Sequence, residues 1–220
     1  MQKILITTGP TIEKIDDVRF ISNFSSGKMG YAIAEEAFRL GFEVYLVSGP
    51  VCLKLDNDKI KLYNVESADE MYKKVMDLKD GVDVIIMSAA VSDYKPKNYY
   101  QGKLKKEDLD NNLSIELQKN VDILFELGKV KLKNQILVGF ALESENGIEN
   151  AKKKLISKNC DLIVLNLSNK LLSGFKGDFN TITLIDKKNQ IIEFPPMTKH
   201  DCSKIIMNWI LNEIKMFKEF

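Results

Sequence analysis

Hydrophobic and polar positions along this chain follow two alternating rhythms. Lys3–Thr8 is a compact apolar run, and Met29, Ile33, Ala37 and Leu40 then recur at the three-and-four spacing of a helix. Gly41 stops that helix, and Glu43–Ser48 reads as the next strand. Ile60–Asn64 predicts a short strand, followed by a helix carrying Ala68, Met71, Tyr72, Val75 and Met76 and by the buried run Asp83–Ser88. Gln135–Phe140, a helix around Ile148–Ser157, and Asp161–Asn166 repeat the unit. Strands that are apolar on both sides, separated by amphipathic helices, need both sheet faces covered, which predicts a parallel sheet. The rhythm then changes. Thr181–Ile185 and Gln190–Phe194 flank the polar residues 186–189 and predict an antiparallel hairpin. A last helix over roughly Thr198–Phe217 would bury Ile205, Ile206, Trp209, Ile210 and Ile214.

The expected fold is therefore α/β: a Rossmann-like three-layer arrangement with a central, mainly parallel sheet and a C-terminal antiparallel hairpin. One domain over residues 1–220 suits the length. Between Asp93 and Lys119 the periodicity stops, and Lys95-Pro96-Lys97, the basic run Lys103–Lys106 and the polar run Glu107–Asn112 take over. A basic, polar insertion of that length predicts a mobile active-site loop over residues 94–119.

Charge narrows the partners. The 32 basic residues nearly cancel the 31 acidic ones, leaving a net charge of +1, so no overall field draws nucleic acid or an anionic membrane. Local clusters at Lys103–Lys106 and Lys152–Lys154 still allow a polyanion site. Three scattered cysteines without a CxxC pair, and a single histidine, His200, argue against a zinc site and for a reduced, cytoplasmic setting. The apolar run after Met1 is too short for a signal peptide, and no segment approaches the roughly 18 apolar residues of a membrane span.

Chemistry concentrates at the ends of strands. Thr7-Thr8-Gly9-Pro10-Thr11 closes the first strand, but no G-x-G-x-x-G follows, which disfavours a dinucleotide site. Gly27-Lys28 is not a P-loop, because Met29 replaces the required Ser or Thr. Ser25 and Ser26 precede a helix, with Gly27 and Gly30 permitting close approach; an N-cap serine is one reading and an anion site the other. Arg19 and Asn23 just upstream favour the anion site. Ser88–Tyr94 leaves another strand, with Asp93 suited to a ribose hydroxyl, an exocyclic amine or a cation. Asn120–Ile123 enters a helix, Phe140 offers a stacking face or a core residue, and Lys154 and Lys158 share one helical face within reach of a polyphosphate. His200 has no partner in sequence, so no Ser-His-Asp set can be assembled and covalent catalysis is not expected.

Taken in order, Thr8–Thr11, Asp17–Asn23, Ser25–Gly30, Val47–Pro50, Ala89–Tyr94, Lys103–Lys106 and Val138–Ala141 resemble bacterial phosphopantothenoylcysteine synthetase, the ligase half of the bifunctional coenzyme A biosynthesis protein. The likeness runs from Lys3 to about Glu213. It implies a ligase that joins 4′-phosphopantothenate to L-cysteine with CTP, through an acyl-cytidylate. It also implies Mg²⁺ on the triphosphate without a dedicated protein cage, and a homodimer. By the same matching, Asn23 acts on the acyl-cytidylate and Lys103 is the essential loop lysine. Arg19, Ser25, Gly27 and Ala90 meet the acid substrate or the intermediate. Met87, Ser88, Ala89, Asp93, Lys103, Val121, Asp122, Ile123, Leu124, Phe140, Lys154 and Lys158 line the CTP site. Two positions depart from the family pattern: Val121 stands where proline is common, and Phe24 where histidine is. No flavin decarboxylase domain precedes Met1, so the expectation is a monofunctional enzyme or an excised domain, with no flavin in this chain. The runners-up are a Rossmann-type oxidoreductase and a noncatalytic nucleotide sensor.

Overall fold

The computed structural model describes residues 1–55, 57–105, 113–167 and 177–218. β1 (Lys3–Thr8) leads into a short antiparallel ribbon, β2 (Ile12–Lys14) with β3 (Phe20–Ser22), and then into α1 (Lys28–Arg39). β4 (Glu43–Ser48), β5 (Lys61–Asn64), α2 (Ala68–Leu78) and β6 (Val84–Met87) follow. A second ribbon pairs β7 (Tyr94–Pro96) with β8 (Leu117–Lys119) ahead of α3 (Ile123–Val130). β9 (Ile136–Glu143), α4 (Gly147–Ser157) and β10 (Leu162–Leu167) come next. The C-terminal part holds β11 (Phe179–Asn180), β12 (Ile182–Asp186), β13 (Ile191–Glu193), β14 (Met197–Thr198) and α5 (Lys199–Lys218).

The main sheet runs β13-β12-β10-β9-β6-β1-β4-β5. From β10 to β5 all neighbours are parallel, and β12 and β13 close one edge antiparallel. This is the expected Rossmann-like architecture with its hairpin. The chain leaves β1 to build outward through β4 and β5, then returns to β6 on the other side. The strand order therefore reverses between β1 and β6, where an open α/β sheet has its ligand crevice.

Alternating side chains divide the core in two. Ile4, Ile6, Val44, Leu46, Val84 and Ile86 face α1 and α5, while Leu5, Val47, Ile85 and Leu137 face α2, α3 and α4. Ala34 and Ala37 on α1 are buried in the same cluster as Cys202, Ile206, Ile210 and Ile214 of α5, and the two alanines leave room for that close helix pair. Ile205 and Trp209, expected in the core, are only half-buried at its margin. Burial pushes the Cys160 and Cys202 thiols up to about 12, so both are inert at neutral pH.

Two ribbons were not legible in the hydrophobic pattern. The strands of β2–β3 and of β7–β8 are three residues each, too short for an alternation to register. Residues 106–112 of the expected 94–119 loop, Lys106 among them, lie outside the described residues. Among the described residues no helix is long and apolar enough to cross a membrane.

Candidate active site

The crevice at the strand reversal is built on a tight meeting of three loops. A side chain at Gly49 would place its Cβ 1.8 Å from the Pro10 carbonyl oxygen, so only glycine lets the β4 turn seat against the β1 turn. Ala90 is threaded beside that turn: its N–H donates to the Gly9 carbonyl (2.9 Å), and its own carbonyl accepts from Thr11 N–H (3.3 Å). The Ser92 N–H donates to Thr11 Oγ1 at 3.0 Å, and Ser88 Oγ donates to the Thr7 carbonyl at 2.5 Å. Asn23, exposed on the loop after β3, reaches across and donates Nδ2 to the Ala90 carbonyl at 3.0 Å. Residues 67 positions apart in sequence thus form one wall.

α1 begins at that wall. Gly27 caps it at φ 77°, a left-handed conformation that costs glycine little, and Thr8 Oγ1 donates to the Gly27 carbonyl at 2.8 Å. Among the described residues no side chain caps the helix, its first turn carries no acidic residue, and Gly27 and Lys28 at its positive end line the crevice. Ser25 accepts from the Gly27 N–H (3.3 Å) and does not cap the helix as an N-cap serine would.

The opposite wall is cationic. Asp122 caps α3, accepting from the Phe125 N–H at 2.9 Å, and its other oxygen pairs with Lys158. Burial works to raise the Asp122 pKa, but the Lys158 and Phe125 hydrogen bonds win and hold it below the ordinary range. Lys154 donates to the Phe140 carbonyl at 2.7 Å, and burial pulls its ammonium below the usual lysine range. Asn120 braces the wall, donating Nδ2 to the Ser92 carbonyl (2.8 Å) and N–H to the Asp93 carbonyl (2.9 Å). Among the described residues its buried Oδ1 has no hydrogen-bond partner.

These walls enclose a cleft of about 860 Å³. Asn23, Ser25, Gly27, Met87, Ser88, Ala89, Ala90 and Asp93 line it, as do Val121, Asp122, Ile123, Leu124, Phe140, Lys154 and Lys158. All but two of the candidate residues are thus gathered in one place. The two exceptions are Arg19 and Lys103. Lys103 is exposed on its loop and does not line the cleft. Lys28, Asn180 and Lys199 line it without having been expected there. A second hollow of about 850 Å³ beside β4 and β5 presents Asp58, Glu66 and Glu70 against Lys54, the wrong charge for a phosphorylated ligand. Among the described residues no three His, Cys, Asp or Glu are placed to hold a metal, and His200 does not line the cleft.

Arg19 is occupied as a strut. Its Nε and Nη2 bond Asp16, and Nη2 also donates to the Leu104 carbonyl at 3.0 Å. Asp16, buried, accepts in addition from the N–H groups of Val18 (2.8 Å), Arg19 (2.7 Å) and Leu104 (3.1 Å). Asp17 holds the neighbouring Gly102 N–H at 2.9 Å and the Tyr99 hydroxyl. The Asp16–Arg19 turn is thus the anchor for the base of the lysine loop. The Arg19 hydrogen bond, with the three N–H groups, holds the Asp16 carboxyl far below the ordinary carboxylate range. A lowered folded-state pKa means stability that is present above the unfolded value, about pH 4, and lost as the pH falls below it. Thermal denaturation between about pH 5 and pH 2 should therefore show a shallower acid decline for Asp16→Asn than for the parent. Parallel declines would show that this anchor is not coupled to folding.

Fold and cleft together define a Rossmann-like α/β domain that opens a cationic crevice at its strand reversal. Residues 1–214 match the family model described as the DNA/pantothenate metabolism flavoprotein C-terminal domain, and the chain belongs to that family. It is 44% identical over 210 residues to a cysteine/cysteine sulfinic acid decarboxylase from an unknown prokaryotic organism, covering 96% of this chain and 58% of that protein. It is 45% identical over 207 residues to the coenzyme A biosynthesis bifunctional protein CoaBC of Bacillus subtilis, covering 94% of this chain and 50% of that one. The crystal structure of the C-terminal domain of a coenzyme A biosynthesis bifunctional protein CoaBC superposes with a TM-score of 0.82 at 42% identity, over 100% of this chain and 97% of that one. The chain spans about half the length of the curated relatives it matches.

Proposed function

We propose that this chain is a CTP-dependent phosphopantothenate–cysteine ligase of coenzyme A biosynthesis. The observation that carries the reading is the cleft itself. It sets Lys154 and Lys158 at one end and the Asn23–Ala90 contact at the strand reversal, as a polyphosphate meeting an acyl group requires. The match to the C-terminal half of CoaBC proteins supports it.

A carboxylate is a poor acyl donor until its oxygen carries a good leaving group. In the proposed reaction the carboxylate of 4′-phosphopantothenate attacks the α-phosphorus of CTP and pyrophosphate departs. The amine of L-cysteine then attacks the acyl carbonyl, and CMP leaves. The protein's contribution is position and charge. Phe140 and Val121–Leu124 flank the nucleoside, Lys154 and Lys158 hold the triphosphate, and Asp93 takes the ribose. Asn23 turns its carboxamide to the acyl-phosphate beside Ala90. Mg²⁺ suits this setting: the phosphate oxygens of the triphosphate are hard donors that would hold the ion, and it would neutralise their charge. A homodimer belongs to the same proposal, and β13, an exposed edge strand with Ile191 and Ile192 outward, offers a surface for pairing.

Pyrophosphate release with CTP and 4′-phosphopantothenate, followed by product formation on adding L-cysteine, tests the reading. No pyrophosphate with any nucleotide would overturn it. Lys103 sits between two anchored neighbours, Gly102 and Leu104, which makes it the loop lysine with a defined position. Lys103→Gln should lower turnover by about tenfold with the melting temperature unchanged, and Lys106→Gln far less. Equal losses would mean that the loop supplies only diffuse charge.

A further inference from the structure

Both loops of the cleft wall meet on one buried residue. Thr11 has no exposed surface and does not line the cleft. Its N–H donates to the Ala90 carbonyl at 3.3 Å, and its Oγ1 accepts from the Ser92 N–H at 3.0 Å. Its carbonyl accepts from Ser22 Oγ at 2.8 Å, and Ser22 is the last residue of β3, next to Asn23. Thr11 thus commits every polar group it has to the two loops whose contact, Asn23 to Ala90, forms the wall.

The Thr11 hydroxyl can do this in one orientation only. Oγ1 gives a lone pair to the Ser92 N–H, so its hydrogen needs an acceptor elsewhere. Glu13, 3% exposed on β2, supplies it. Its carboxylate takes hydrogen bonds from the Thr11 hydroxyl and from the Ala68 N–H, the latter at 3.0 Å to Oε1. An ionised carboxylate accepts and cannot donate, which fixes the hydroxyl hydrogen toward Glu13 and the lone pair toward Ser92. Burial raises the Glu13 pKa, and the two hydrogen bonds work against it; Asp69 on α2 raises it further, and Lys95 on β7 lowers it. The Ile12 N–H donates to the Glu66 carbonyl at 2.8 Å, which with the Ala68 bond clamps β2 to the start of α2. The carboxylate that orients Thr11 is therefore itself held on both sides.

We propose that Thr11, oriented by Glu13, is a positioning residue for the acyl transfer, setting the Ala90 carbonyl and the Asn23 carboxamide against each other without touching a substrate. The proposal rests on the ligase reading and deepens it. Glu13 fixes the hydroxyl, the hydroxyl holds Ser92, and the Thr11 N–H and carbonyl hold Ala90 and Ser22 in one register. Misplacement of a reacting group by about 1 Å costs on the order of a hundredfold in rate, so a small slip between these loops is felt in turnover. Nucleotide affinity is not expected to follow. The contacts proposed for CTP on α3, β9 and α4 stand on other elements. Asp93 is held from its far side by the Asn120 N–H, at 2.9 Å to its carbonyl.

The test sets steady-state pyrophosphate release, with CTP, 4′-phosphopantothenate and L-cysteine, beside thermal melting for variants of the whole chain. Thr11→Val keeps the shape and removes the hydroxyl; it should lower kcat by about thirtyfold and leave KM for CTP within about threefold. Thr11→Ser restores the hydroxyl and should bring kcat back to within about threefold of the parent. Glu13→Gln, whose amide offers hydrogen where Thr11 needs an acceptor, should lower kcat by about tenfold, and it decides the matter if Thr11→Val does not fold. Ser67→Ala is the control. It removes the side chain that caps α2 through the Glu70 N–H, and should lower the melting temperature with kcat unchanged. Thr11→Val added to Asn23→Asp should cost less than about threefold more, because both act through the Ala90 carbonyl. Losses that multiply in full, or a kcat that tracks the melting temperature across the set, overturn the proposal. If the parent chain releases no pyrophosphate with any nucleotide, the ligase reading fails on its own, and NMR of the ¹⁵N-labelled chain decides the positioning. It stands if Thr11→Val moves the Asn23 carboxamide signals and speeds Ser92 amide exchange by at least about tenfold, while Ser67→Ala does neither. Unmoved Asn23 signals overturn it.

Discussion

Asn23→Asp is expected to lower turnover by about two orders of magnitude while leaving CTP affinity intact. The side chain is exposed and nearly isosteric with its replacement, so the fold survives the change. What changes is the sign of one contact. Asn23 now donates to the Ala90 carbonyl, which also accepts from Thr11, so this oxygen is well supplied and the amide is held in one orientation. A carboxylate has no hydrogen to donate there. Its oxygen would face the carbonyl oxygen, and its charge would stand against the negative charge developing on the acyl group. The nucleotide contacts proposed on α3, β9 and α4 lie on other elements and are untouched. Rapid-quench measurement should find a burst of pyrophosphate with little phosphopantothenoylcysteine, because the mixed anhydride forms and then stalls. A matching loss of CTP affinity would instead make Asn23 a support of the loop.

The second large effect is on stability. Gly49→Ala should cost about 3 kcal/mol, because the new Cβ would lie 1.8 Å from the Pro10 oxygen and 2.8 Å from its carbonyl carbon. Both are backbone atoms, and no side chain can swing aside to relieve the overlap. At this chain length the melting temperature should drop by about 6–12 °C. Gly81→Ala is the control: nothing lies within 4 Å of its Cβ position, and the melting temperature should hold or rise slightly. The consequence for activity is separate. Pro10 bridges to Ala90, so a displaced turn moves the carbonyl that Asn23 grips. Gly49→Ala should therefore lose activity at temperatures where circular dichroism still reports a folded protein. Retained activity would show that the crevice tolerates movement of this turn.

The long elements were legible because burial on both faces leaves no polar position to interrupt a strand. Ile4 to Thr8 are all buried, as are Val84 to Met87. Asp122 and Lys158 were also readable, one at a helix entry and one on a helix face, yet their pairing depended on α3 and α4 lying side by side. Arg19 stands apart from the cleft lining for a local reason. Asp16, three residues earlier, begins a turn in which a carboxylate takes the following N–H groups, and an Asp at that spacing was the available signal that the arginine had an occupation. Lys28, Asn180 and Lys199 left no such signal. They come from three elements separated by most of the chain, and only the pairing of β11 with β14 brings Asn180 beside the start of α5.

Because the cleft crosses the sheet from one hydrophobic core to the other, its lining rests on both. Lys154 stands on α4, over the cluster that α2, α3 and α4 cover, whereas Phe140 packs against the cluster that α1 and α5 cover. A loosening of either core therefore reaches the same cleft, and neither face of the sheet drifts in sequence without the other constraining it.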